Sequence, residues 1–138
     1  MRILVALAAS LCLIAPASAD PIHANANGDY WHHDSGWVFP RRCGEFERVG
    51  AAQDVAGTRD AVAYYAREIA GVRETVAVEV LAQDSAADES ATQILRLESK
   101  GEWRVRIRMV TPAAVPTVTQ ALTDFVQAQR WDTLGTLH

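Results

Sequence analysis

Glu102 to Val110 reads EWRVRIRMV. In it Trp103, Val105, Ile107 and Met109 alternate with Arg104, Arg106 and Arg108. Successive side chains on a strand point to opposite faces, so the stretch predicts one apolar face and one cationic face. A slip of one residue would bury all three guanidinium groups, which makes the register strongly specified. The apolar face needs a cover, and the chain supplies one downstream. Thr117 and Gln120 fit a T-x-x-Q capping box, and Val118, Ala121, Leu122, Phe125 and Val126 recur at helical spacing. So short a helix does not stand alone in water. It is expected to lie on the Trp103–Met109 face, with Trp131 and Leu134 covering the sheet's end. The fold class that follows is α+β: a small antiparallel sheet with a C-terminal amphipathic helix packed on one face.

Upstream, RETVAVEVLAQD (Arg73 to Asp84) has the same alternation. Val76, Val78 and Val80 face one way; Thr75, Ala77, Glu79 and Leu81 face the other. With DAVAYYAR (Asp60 to Arg67) before it and Gly71 between, the pair reads as a hairpin. A helix over Ala61 to Ile69 is the competing reading, since Ala, Arg and Glu favour one. Trp37 to Phe39, stopped by Pro40, and Glu45 to Val49 read as short strands. Asp84 to Lys100 reads as a short helix over Ser85 to Thr92 followed by a strand.

The chain begins MRILVALAASLCLIAPASAD. Arg2 is a positive n-region, Ile3 to Ala15 is an apolar run too short to span a bilayer, and Ala17-Ser18-Ala19 fits a cleavage site. Residues 1–19 are therefore expected to be a signal peptide cut between Ala19 and Asp20, followed by a flexible leader over 20–35 and a single domain over 36–138. The expected location is periplasmic or secreted, with no transmembrane segment after cleavage. Losing Arg2 takes the formal charge from -4 to -5. A mildly acidic chain argues against nucleic acid as the main partner, because phosphate binding draws on clustered positive charge. After cleavage Cys43 is the only cysteine, so no internal disulfide can form and the core must hold the fold unaided.

Four stretches carry a resemblance: GWVFP (Gly36 to Pro40), GEFERVG (Gly44 to Gly50), DVAGTRDAVAYYA (Asp54 to Ala66) and WRVRIRMVTPA (Trp103 to Ala113) with the helix after it. In these the chain resembles a group of small exported bacterial proteins of unknown function. The final strand and helix look like the close of a Mog1/PsbP-like α+β domain. The resemblance implies an antiparallel sheet backed by helices and an exported location, and it implies no catalytic residue.

Three constellations could carry chemistry. In GDYWHHDSGWVFP, His32, His33 and Asp34 are residue types suited to zinc or copper. Adjacent histidines on a strand point apart, however, and neither HxH nor HxxxH spacing occurs. His23 or Asp29 would have to help from the leader. Cys43 beside Arg41 and Arg42 is a possible nucleophile if exposed, since neighbouring cations lower a thiol's pKa. Its bland alternative is burial. No G-x-S-x-G elbow and no Gly-rich phosphate loop is present. The third constellation is Arg104, Arg106 and Arg108, spaced about 7 Å apart along one strand face. It could receive an acidic protein, lipid headgroups or a sugar acid. The plainer alternative is a solvated face paired across strands to Glu98 or Glu79. The expected function is a non-enzymatic exported domain, without a cofactor, that binds or assembles with a cell-envelope component. The alternative is a metal-binding or thiol-dependent enzyme using the His-rich segment and Cys43.

Overall fold

EWRVRIRMV is a strand, and strands dominate the molecule. The computed structural model describes residues 22–53, 59–85, 94–111 and 119–135. The expected signal peptide with its cleavage point, the helix expected to end at Thr92, and the Thr117 and Val118 positions fall outside the described residues. A small antiparallel sheet is ordered β1 (Ile22–Ala24), β2 (Tyr30–His32), β3 (Val38–Phe39). A larger one holds β4 (Arg42–Cys43), β5 (Phe46–Gln53), β6 (Ala61–Ile69), β7 (Val72–Ala82), β8 (Ile94–Lys100) and β9 (Trp103–Thr111). Its order is β4-β5-β6-β7-β9-β8, all antiparallel, and it curls into a half-barrel. One α-helix follows, α1 (Gln120–Gln127), then a 3-10 turn at Trp131–Thr133.

The α+β expectation is therefore overturned: the described fold is mostly β, with a single eight-residue α-helix. The strands that the sequence reading did not count are β1, β2 and β4, whereas β6 is the strand that the hairpin reading expects. Val62, Tyr64 and Tyr65 outweigh the helix-forming Ala residues once the segment can pair along its whole length with β7, from Ala61↔Val80 to Ile69↔Val72. The hairpin turn is Ala70-Gly71 with both φ positive, at 48° and 77°, the type I′ geometry whose twist suits two-residue hairpins. Short strands also lie within the expected leader over 20–35. Ile22–Ala24 and Tyr30–His32 form there, because Tyr30↔Phe39 and Trp31↔Val38 pair with the strand before Pro40.

The inner face of the large sheet is the core. Trp103, Val105, Ile107 and Met109 join Val76, Val78 and Val80 there, as the alternation predicts. Leu122 and Phe125 of α1 bury against the same cluster, and Leu134 and Trp131 pack on it. Phe125 sits 4.9 Å from the Phe46 ring and 5.1 Å from the Tyr65 ring, centre to centre. The N-cap lies two residues later than expected. Thr119 rather than Thr117 is the N-cap, its side chain accepting from the Leu122 N–H at 3.4 Å.

Long contacts bind the small sheet to the rest. Trp37 meets Trp131 edge to face at 5.3 Å, the Val38 N–H donates to Thr133 Oγ1 at 3.2 Å, and the Gly135 N–H donates to the Ser35 carbonyl at 2.7 Å. Arg48 reaches across from β5. It donates to the Phe39 carbonyl at 2.6 Å and lies 3.7 Å over the Tyr30 ring.

Candidate functional site

The arginine stripe of β9 is not the open cationic face that the alternation suggests. Arg106 is only 7% exposed. It stands opposite Glu79 on β7, itself 3% exposed, and its Nε donates to Glu79 Oε2 at 2.6 Å. Arg108 Nε donates to the other carboxylate oxygen, Oε1, at 2.9 Å. One buried carboxylate thus serves two guanidinium groups, and Arg104 is half-buried beside Leu81. β7 is buried on both faces from Val76 to Ala82, where half-burial was expected. A charge taken out of water must be paired, and Glu79 does that here. The cross-strand pairing to Glu79 describes Arg106 and Arg108 better than an anion-receiving ladder.

The His-rich segment is split by strand geometry. His32 is fully buried, its Nδ1 2.7 Å from Ser35 Oγ, its ring edge-on to Trp103 at 5.3 Å. Burial holds its pKa below the ordinary imidazole value, against the pull of the Asp34 carboxylate and the Arg59 carbonyl. His33 points outward and meets Asp34 at 3.3 Å. Asp34 is held in turn by Arg59, which also reaches Glu102 and lies 4.7 Å over the Trp103 ring. So His32 and His33 do not converge. Among the described residues no group of three or more His, Cys, Asp or Glu side chains could hold a metal ion.

Cys43 is 1% exposed and unpaired by any disulfide. Burial pushes its thiol pKa up to about 11, and Gln129 and Arg48 offset this only in part. At pH 8 about one thiol in a thousand would be ionised, and the thiolate is the reactive form. Iodoacetamide at pH 8 should therefore leave Cys43 unmodified in the folded protein and label it fully in denaturant, read by intact mass. Labelling of the folded protein within minutes would contradict this burial.

No family model, curated protein or solved structure matches this chain. The candidate site therefore has to come from the surface itself. Among the described residues five large apolar side chains are exposed: Val49, Ile69, Val72, Ile94 and Leu97. They fall into two places. Ile94 and Leu97 lie on β8. Ile69 and Val72 flank the β6–β7 turn, and Val49 lies at the irregularity of β5, where the register shifts between Arg48 and Gly50. Val49 and Ile69 line one open cleft of about 570 Å³.

That cleft is built from four strands, β4 to β7, and the turn before β5. Its wall is Arg67, 8% exposed, whose Nε donates to Glu74 at 2.6 Å and whose Nη1 pairs with Glu45. The guanidinium also lies 5.1 Å over the Phe46 ring, so the wall is fixed by packing and by two carboxylates. Arg42, Glu47, Glu68 and Arg73 complete a rim of both charge signs. Apolar contacts inside a polar rim are the ordinary anatomy of a protein-binding patch. Sequence reading missed this site, because its parts lie on different strands and only folding joins them. The one local signal was a pair of β-branched residues, Ile69 and Val72, at a hairpin tip with nothing beyond them to pack on.

Proposed function

We propose that the chain is an exported, non-enzymatic domain that binds or assembles with a cell-envelope component, and that a protein partner docks at the cleft beside the β6–β7 turn. The observation that carries this reading is the exposed pair Val49 and Ile69 lining a rigid, charge-rimmed cleft, with exposed Val72 paired to Ile69 across the turn. Exposed branched apolar side chains in and beside the cleft leave apolar surface in water that a partner would cover. The rim carries Arg42, Arg67 and Arg73 against Glu45, Glu47 and Glu68, so recognition here does not depend on a strongly charged partner. No helix of the described residues is long and apolar enough to cross a membrane.

Photo-crosslinking in producing cells tests the reading. A photoreactive residue is placed at Ile69, at Val72, or at the exposed Asn27 in the turn between β1 and β2. The same discrete adduct is expected from Ile69 and Val72 and none from Asn27, with the protein recovered from the envelope fraction. An absence of adducts, or equal adducts from all three positions, would overturn the proposal.

A further inference from the structure

The second exposed apolar place is a sheet edge that no other described strand covers. β8 is the last strand of the large sheet, with no described strand beyond it. Ile94 and Leu97 are 38% and 53% exposed, and the Arg96 and Glu98 side chains are about equally open to solvent, at 46% and 42%. The opposite edge strand, β4, has only two residues, whereas β8 has seven. A long edge offers unpaired backbone donors and acceptors to another strand, and charges on an edge normally discourage this. Here the charges are arranged so that they do not.

Leu97 is the midpoint of Ile94–Lys100. An antiparallel pairing of β8 with a second β8 about a two-fold axis at Leu97 is the one register that engages all seven residues of both strands. In that register Leu97 meets Leu97 of the other copy. Arg96 opposes Glu98 of the other copy, and the symmetry repeats the contact. Moving the axis to residue 96 or 98 would instead set Arg96 against Arg96 or Glu98 against Glu98, and like charges directly opposite are destabilising. Arg96 Nε already lies 3.0 Å from Glu98 Oε1 within one chain, so the two pairs would close a four-charge square. From Arg96 to Lys100 β8 pairs with β9 without a register shift, leaving this segment regular enough to template a neighbour.

We propose that β8 is a self-complementary edge through which two copies of this chain join, extending the six-stranded sheet into one of twelve. This surface is separate from the cleft at Arg42–Val49 and Ala66–Arg73, so it stands whether or not a partner docks there.

Sedimentation equilibrium over a wide concentration range tests it. The wild-type chain is expected to dimerise. R96E and E98R should each weaken dimerisation at least about tenfold, since each turns two attractive cross-strand contacts repulsive. The double variant R96E/E98R should recover to within about threefold of wild type. Both side chains are exposed, and circular dichroism would show each variant folded. In a Cys12→Ser chain, Leu97→Cys should form an intermolecular disulfide on mild oxidation, because directly opposed residues of antiparallel strands are at disulfide distance. Ile69→Cys, equally exposed, should not. A wild-type chain that is monomeric throughout overturns the proposal. So does a dimer indifferent to the single reversals, a double variant no better than either single one, or cross-linking at Ile69→Cys but not at Leu97→Cys.

Discussion

Glu79→Ala is expected to destabilise the fold by about 3–5 kcal/mol, the range for removing one partner from a buried ion pair. The side chain is 3% exposed and accepts from Arg106 at 2.6 Å and from Arg108 at 2.9 Å. Without it, the largely buried Arg106 guanidinium loses the carboxylate that balances its charge, and water cannot take its place. Glu79→Gln should cost less, since the amide keeps the shape and one accepting oxygen. The double variant Glu79→Leu with Arg106→Met should lie nearer to wild type than Glu79→Ala does, because well-packed apolar replacements remove the desolvation penalty of both charges together. Urea unfolding reads this as a shift in midpoint at constant slope. A loss below about 1 kcal/mol for Glu79→Ala would mean that the carboxylate is solvated, contrary to its burial. The same reasoning bears on Arg106→Gln. It would leave Glu79 short of its nearest cation, so a loss of binding in that variant would report unfolding as much as any partner contact.

Phe125→Ala should be comparably damaging, at about 3–5 kcal/mol for an aromatic ring removed from a packed core. Phe125 is fully buried and touches Phe46 on β5 and Tyr65 on β6, so it is the ring that ties α1 to the sheet. An eight-residue helix has no stability of its own to fall back on. The expected signature is therefore local as well as global. Amides of Thr123 to Ala128 should lose hydrogen-exchange protection before those of β6 and β7 do. If helix amides stay as protected as the sheet, α1 is held by something other than this ring.

How much of this was legible beforehand depends on whether the signal was local. The β9 alternation, the β6–β7 hairpin around Gly71, the strand before Lys100 and the docking of the last helix all show in patterns a few residues long, whereas the sequence left Cys43 open between burial and exposure. Period two announces two faces, but it does not say whether the second face meets water. That is why Arg104, Arg106 and Arg108 read as a solvated ladder. The counter-signal was present: Glu79 is the lone charge in the middle of VAVEVLA, and a charge so placed needs a partner. The strands at Ile22–Ala24 and Tyr30–His32 are three residues each, too short for any periodicity, and they form only because Val38–Phe39 and the Arg48 clamp lie beside them. His32 and His33 could be separated in advance, since neighbours on a strand diverge. The cleft could not, since Val49 and Ile69 become neighbours only after β5 and β6 pair.

Val38 and Thr133 are 95 positions apart, yet they share a hydrogen bond, and the Ser35–Gly135 and Trp37–Trp131 contacts beside it join the same two regions. Closing so wide a loop costs entropy before any contact repays it, and folds dominated by distant pairings form slowly. During synthesis Trp37 emerges long before Trp131 exists. The first sheet must therefore wait, unfinished, until residues 131–135 have been made, whereas the β6–β7 hairpin, closed by a two-residue turn, needs no such distant partner.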